Sequence, residues 1–339
     1  MQTRDTEARK RSRSRGLTRI EVLAVLGCLL CLAPILLAGA RSVSRPNREV
    51  MCAFRLSQLG AAMLQYTADH GGYLPGSPGT TGTELILEYG DAEPDEVDIP
   101  TDVTQTWDWA APLAGYLGVP LDPNRSTRSE QLRHGFYWCP ANGYEALPYH
   151  NGEFGPFPNW PAMRMVSYNA MRMMLYYESG DTLDPSVRTY AWWRPWLSID
   201  LPPGYEPRLD LIGPPSEKLF LSDGARFTSS FGGTYEVRAL SFYGGSFADG
   251  GPTISAMWMH AYDLDPARAP RTYRHPHGTE LGLNALHCDG HVEWVSEPDS
   301  RQPDRWYPSG TRIFVSAMNI PTYVSVCYDL DEDGAYTVP

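Results

Sequence analysis

Hydrophobic and polar positions fall into three regimes along the chain. From Val22 to Ala40 the sequence reads VLAVLGCLLCLAPILLAGA, nineteen residues without a charge. As a helix rising ~1.5 Å per residue this run is about 28 Å long, close to the ~30 Å hydrocarbon core, and it predicts one membrane span. A polar break at Ser44-Arg45-Pro46-Asn47 follows. Over 49–70, Leu56, Leu59, Met63 and Tyr66 recur three to four residues apart, which predicts an amphipathic helix ended by Gly71-Gly72. Beyond Tyr73 the pattern breaks into Pro- and Gly-punctuated pieces. Residues 76–105 read as an acidic loop, 107–117 as a short helix, 136–140 (FYWCP) as a buried strand end and 218–222 (KLFLS) as a strand. No repeat of 20–50 residues is detectable.

Charge sharpens the first regime. The first sixteen residues carry six basic side chains against Asp5 and Glu7, a leader of +4, and the net charge of −12 leaves −16 for the rest. Basic residues on the N-terminal flank predict a cytoplasmic leader and a body carried across the cytoplasmic membrane. A cleaved secretory signal is the alternative, with Ala38-Gly39-Ala40 as its one tolerable site. An acidic body without a basic cluster argues against nucleic acid as a partner. Thirty Pro, thirty-one Gly and twenty Tyr point to a loop-rich domain of short strands.

Within Arg15-Gly16-Leu17-Thr18-Arg19-Ile20-Glu21, a carboxylate stands at the entrance of the apolar run. Cleavage after Gly16 would give Leu17 a positive amine one helical turn from Glu21, and so neutralise it. The segment resembles the prepilin-type cleavage and methylation segment of type IV pilins and type II secretion pseudopilins. That resemblance implies processing at Gly16 and Leu17, methylation of Leu17, and assembly through Glu21. Arg19 departs from the pattern, which has an apolar residue there. Further pieces resemble a large pseudopilin-like family with a C-terminal His-x9-Asp-Gly signature: Arg55–Gly60, Tyr66–Pro75, Trp138-Cys139-Pro140, Ser167-Tyr168-Asn169, Leu219–Gly224 and Asn284–Val292. His277, Asp289, Gly290 and His291 stand for its signature, with eleven residues rather than nine between His277 and Asp289; between His275 and Asp289 there are thirteen.

Asp289-Gly290 between strand-like runs predicts a two-residue hairpin in which Cys288 opposes His291 and His287 opposes Val292. That register sends His287 and His291 to opposite faces, so no shared metal is expected. Cys52, Cys139, Cys288 and Cys327 lie outside the apolar run and allow three pairings. A disulfide, with Cys52 and Cys139 as the preferred pair, stands beside free buried thiols. Asp329, Asp331 and Asp333 open a calcium-loop pattern whose twelfth position falls beyond Pro339. A partial calcium site stands there beside a solvated acidic tail.

These readings combine into an α+β expectation: a pilin-like long N-terminal helix, half in the membrane, packed on a mainly antiparallel sheet. The divisions are a leader at 1–16, a transmembrane helix at 17–40, its amphipathic continuation at 41–72 and an extracytoplasmic domain at 73–339. The resemblance implies a pseudopilin subunit whose partners are a prepilin peptidase, other pilin-like subunits, an assembly platform and the membrane. The alternative is a membrane-anchored binding module for glycans or envelope material. No Gly-x-Ser-x-Gly, His-Glu-x-x-His or phosphate loop occurs, so no enzyme is expected, and no cofactor beyond calcium.

Overall fold

The computed structural model describes residues 47–77, 103–104, 108–149, 162–176, 199–224, 227–228, 235–237, 273–300, 302–314 and 330–339. The chain divides into two compact units, Met1–Asn47 and Arg48–Pro339, and all but Asn47 of the first lies outside the described residues.

Helix α1 is described over 47–69. It buries Cys52, Leu56, Leu59, Met63, Tyr66 and Thr67, an i, i+3, i+4 stripe that gives one apolar face. Gly71 and Gly72 take left-handed φ of 63° and 92°, and the Gly72 N–H donates to Thr67 O at 2.8 Å, closing the helix with a Schellman-type cap. Among the described residues three shorter helices follow, α2 (Ala110–Leu113), α3 (Arg125–Gln131) and α4 (Glu297–Ser300).

Eleven short strands are described: β1 (Glu145–Tyr149), β2 (Met163–Arg164), β3 (Tyr168–Ala170), β4 (Ile199–Asp200), β5 (Leu219–Asp223), β6 (Phe227–Thr228), β7 (Tyr235–Val237), β8 (Gly282–His287), β9 (Val292–Ser296), β10 (Arg312–Phe314) and β11 (Ala335–Thr337). They form three sheets, ordered β2-β1-β7-β6, β11-β10-β4 and β3-β5-β8-β9. The last carries the core, and its central strands β5 and β8 are buried at every position, as strands covered on both faces must be. On one face lies α1, with Glu49 O accepting from Asn284 Nδ2 and Cys52 meeting Asp223. On the other, Phe220 meets Trp109 edge-on at 6.5 Å between ring centroids.

The pilin-like expectation is corrected here. Instead of one mainly antiparallel sheet under a membrane helix, the strands are dispersed over three small sheets, and β1 pairs with β7 in parallel. The reason lies in composition: frequent Pro and Gly keep every strand to six residues or fewer, too short for one broad sheet. No helix among the described residues is long and apolar enough to cross a membrane. The apolar run, with Gly16, Leu17 and Glu21, lies outside them. The segment FYWCP, expected as a strand end, forms no strand: Phe136 and Tyr137 lie in a 3-10 turn at Gly135–Tyr137, and Trp138 to Pro140 follow it.

Gly60 sets how closely α1 approaches the sheet. A Cβ there would stand 2.6 Å from Leu286 Cδ1 and 3.1 Å from the backbone oxygen of Gly290. Gly60→Val forces the helix off the β8–β9 turn and is expected to cost about 1–3 kcal/mol. Urea unfolding followed by far-ultraviolet circular dichroism measures it as a lowered midpoint at unchanged slope.

Candidate metal centre

Four side chains from separate elements converge under α1. Cys52 lies on the buried stripe of the helix. Cys139 follows the 3-10 turn at Gly135–Tyr137, in a tight bend where Asn142 N–H donates to Cys139 O at 2.8 Å. Asp223 ends β5, and His275 sits in the segment leading to β8, its N–H donating to Gly282 O. All four are buried, and one donor atom from each lies within 4.8 Å of the other three.

Their separations have the scale of a coordination polyhedron. Cys139 Sγ is 3.4 Å from His275 Nε2, His275 Nε2 is 3.3 Å from Asp223 Oδ2, and Cys52 Sγ is 3.5 and 3.7 Å from the two Asp223 oxygens. Tetrahedral zinc, with bonds of about 2.0–2.3 Å, has ligand–ligand edges of about 3.3–3.8 Å. The same ring nitrogen, Nε2, faces both Cys139 and Asp223. In a nucleophile–base–orienter relay the two ring nitrogens face different partners, so the arrangement is that of donors around a point rather than of a relay.

An outer layer holds these donors. Arg274 Nη1 donates to Ser167 O at 2.6 Å and to Asp223 Oδ1 at 3.2 Å, and the Asn284 N–H donates to Asp223 Oδ2 at 2.9 Å. Tyr168 OH donates to Cys52 Sγ at 3.4 Å, and Trp294 Nε1–H donates to His275 O at 2.6 Å. The guanidiniums of Arg55 and Arg164 lie over the Trp138 ring, 5.2 and 4.3 Å from its centroid. This secures the backbone next to Cys139.

Protonation follows the geometry. Burial raises Asp223, but His275, Arg274 and the Asn284 N–H outweigh it and hold the carboxyl below its ordinary value. Burial lowers His275, and the Asp223 charge overcomes it, carrying the imidazole up to about 10. Burial pushes both thiols up; for Cys52 the contact with Cys139 and the Asp223 charge add to the rise and the Tyr168 hydrogen bond does not outweigh it, whereas hydrogen bonds with Cys52 and His275 and the charge of Arg274 bring Cys139 down to about 7. A thiolate is therefore accessible near neutrality at Cys139.

No family model matches the chain, and no curated protein or solved structure does so either. The resemblance to pseudopilins therefore has no homologue behind it. The assignments that followed from it are corrected with it: a processed and methylated subunit, a single-pass membrane placement, and a prepilin peptidase and assembly platform as partners. What the described residues present is a compact domain with a buried donor cluster. That cluster also corrects the expectation of no enzyme and of no cofactor beyond calcium. Two sulfurs, an imidazole and a carboxylate can perform metal or acid–base chemistry, and soft sulfur donors select zinc-like ions over calcium.

The residues singled out from the sequence divide as follows. Cys52 and Cys139 are neighbours but free thiols, with no bond between them. His277 is half exposed; it stacks on Trp294 at 4.2 Å and contacts Glu49 at 3.0 Å, away from the cluster. Asp289 serves the turn, its Oδ1 accepting from the His291 N–H at 3.1 Å, and Gly290 has φ of 93°. Asp331 and Asp333 are held by Arg312 Nη2 at 2.7 and 3.0 Å, which occupies the carboxylates of the expected calcium loop; Asp329 lies outside the described residues. Sequence reasoning missed Asp223, which entered only within the piece Leu219–Gly224, and His275, which entered only by its spacing from Asp289. Their adjacency to a strand end and to Arg274 gave no local signal.

The Asp223–His275 pair has a pH signature in the metal-free protein. Asp223 is depressed, so its contribution is present above about pH 4 and lost as pH falls; His275 is raised, so its contribution is full below about pH 6.5 and lost as pH rises through about 10. With chelator present, the stability difference between wild type and His275→Asn is expected to be largest at about pH 4–6.5 and to shrink towards pH 10. Chemical unfolding at stepped pH measures it.

Proposed function

We propose that the domain is a metal-binding module in which Cys52, Cys139, Asp223 and His275 hold one zinc-class divalent ion. The observation that carries this reading is the convergence of four buried donors at tetrahedral edge lengths. Charge supports it as well. Two thiolates and a carboxylate, set against a divalent ion and the buried Arg274, leave the assembly electrically neutral, which a dry interior requires. Four protein ligands with no position left over describe a closed, structural centre. It joins α1, the bend at Cys139, β5 and the segment before β8, and contributes folding energy directly.

The full chain purified without chelator is expected to carry zinc in this centre. Substitution with cobalt should give the absorption of a tetrahedral ion with sulfur-to-metal charge transfer, and Cys139→Ser should abolish that band. Removal of the ion should lower Tm by on the order of 10 °C. Binding must also expel protons from Cys52, Cys139 and His275, so affinity should climb with pH between about 6 and 9, by about tenfold per unit for each proton displaced. A chain that takes up no zinc or cobalt, or a charge-transfer band unchanged in Cys139→Ser, would overturn the assignment.

A further inference from the structure

A second set of donors lies across the same sheet, at the β8–β9 turn. The expected two-residue hairpin is not what forms. Leu286 pairs with Val292 and Ala285 with Glu293, and the His287 N–H donates to His291 O at 2.8 Å, so His287 and His291 are directly opposite. The loop between them has three residues, Cys288-Asp289-Gly290, with the left-handed residue at Gly290. A one-residue change of register moves a side chain to the other face. The two imidazoles therefore stack, ring centroids 3.8 Å apart and planes inclined by 18°.

Glu293, two residues along β9, reaches the same place. Its Oε1 is 2.9 Å from His287 Nε2, and one donor atom from each of His287, His291 and Glu293 lies within 4.8 Å of the other two. His287 is buried, and its Nδ1 has no hydrogen-bond partner, so the ring is spent on nothing but this cluster. Its two companions are partly exposed, and all three line a cavity of about 340 Å³ together with Lys218 and Arg305.

We propose that His287, His291 and Glu293 form a second metal site, of the two-imidazole, one-carboxylate kind, for a borderline divalent ion such as Zn2+, Co2+ or Cu2+. Imidazole nitrogen sets the preference for these ions over Ca2+ and Mg2+. Three protein ligands on one side of a cavity leave coordination positions free for water or a small oxygen ligand, which a closed four-ligand centre does not. Arg305 Nη1 holds Glu293 Oε1 at 2.5 Å and so orients the carboxylate, and the buried Lys218, whose Nζ donates to Asp304 O at 2.7 Å, lines the same cavity.

The test uses the full chain without a histidine tag, dialysed to equilibrium against zinc and assayed by elemental analysis, with Cu2+ electron paramagnetic resonance as a second readout. His291 and Glu293 are exposed enough to be replaced without loss of the core. Wild type is expected to bind one equivalent that survives Cys139→Ser but is weakened at least about tenfold by His291→Ala and by Glu293→Gln. Its copper spectrum should show nitrogen coupling that changes in His291→Ala. His134→Ala, at an exposed pair between Glu130 of α3 and the residue three positions beyond its end, should change nothing. Loss of one equivalent in Cys139→Ser with another retained would support the second site as separate from the closed centre. Binding untouched by His291→Ala and Glu293→Gln, or no equivalent that survives Cys139→Ser, would overturn the second site.

Discussion

A carboxylate with no exposed surface has to be neutralised where it stands, and Asp223 is such a carboxylate. Desolvation of a lone charge in the interior costs several kcal/mol even after relaxation, more than a domain of this kind can absorb without compensation. The chain surrounds Asp223 with Arg274, His275, the Asn284 N–H and the thiol of Cys52. These partners come from three stretches of sequence: Cys52 from α1, Arg274 and His275 from the segment before β8, and Asn284 from β8. The charge therefore dictates where α1, β5, β8 and the segment at 274–275 must meet, whereas apolar contacts alone would tolerate sliding. Buried polar networks are costly when half satisfied and specific when complete.

The β8–β9 hairpin shows how little separates two chemistries. The tripeptide Cys288-Asp289-Gly290 carries both a two-residue and a three-residue solution, because Gly290 can supply the positive φ for either. The protein adopts the longer loop, and α1 shows why. Gly290 lies under the helix, where an added Cβ would meet Leu64 Cδ1 at 2.9 Å, and its carbonyl sits against Gly60. Cys288 is fully buried, and its N–H donates to Lys218 O, the residue before β5. A two-residue loop would hand the Cys288 position to the His291 pairing and release that contact. Packing against the helix and β5 selects the register, and the register places two imidazoles face to face.

Local regularities were legible in the sequence, and remote ones were not. The spacing of Leu56, Leu59, Met63 and Tyr66 marks a buried helical face, and those four residues are buried on α1. The run KLFLS marks β5 to within one residue. Such signals depend on periodicity and burial, which neighbouring residues share. The cluster of Cys52, Cys139, Asp223 and His275 has no short motif, since each ligand comes alone from a separate element. The proximity of Cys52 and Cys139 was readable as a disulfide pairing, but the thiols are free because Asp223 and His275 stand with them and turn a pair into a four-sided site. The hairpin failed for a different reason: turn propensity was equal for two registers, and the deciding contacts lay on another helix.

The two donor sets are mechanically linked through α1. Cys52 fixes the helix at one position along its length through the Asp223 cluster, and Gly60, two turns on, sets its distance from the β8–β9 turn. Asp223 and Leu221 pair along β5 with β3 and β8, so movement at the cluster reaches β8 through the same ladder that positions His287. A helix secured at the cluster holds Gly290 in place, and Gly290 in place keeps His287 opposite His291. Loss of the Cys52–Asp223 contact would therefore relax the hairpin as well, whereas Cys139, which is not on the helix, leaves that hold in place, and His291 and Glu293, at the open edge, have no such hold on the core. The dependence runs in one direction, from the buried charge outward to the exposed imidazole.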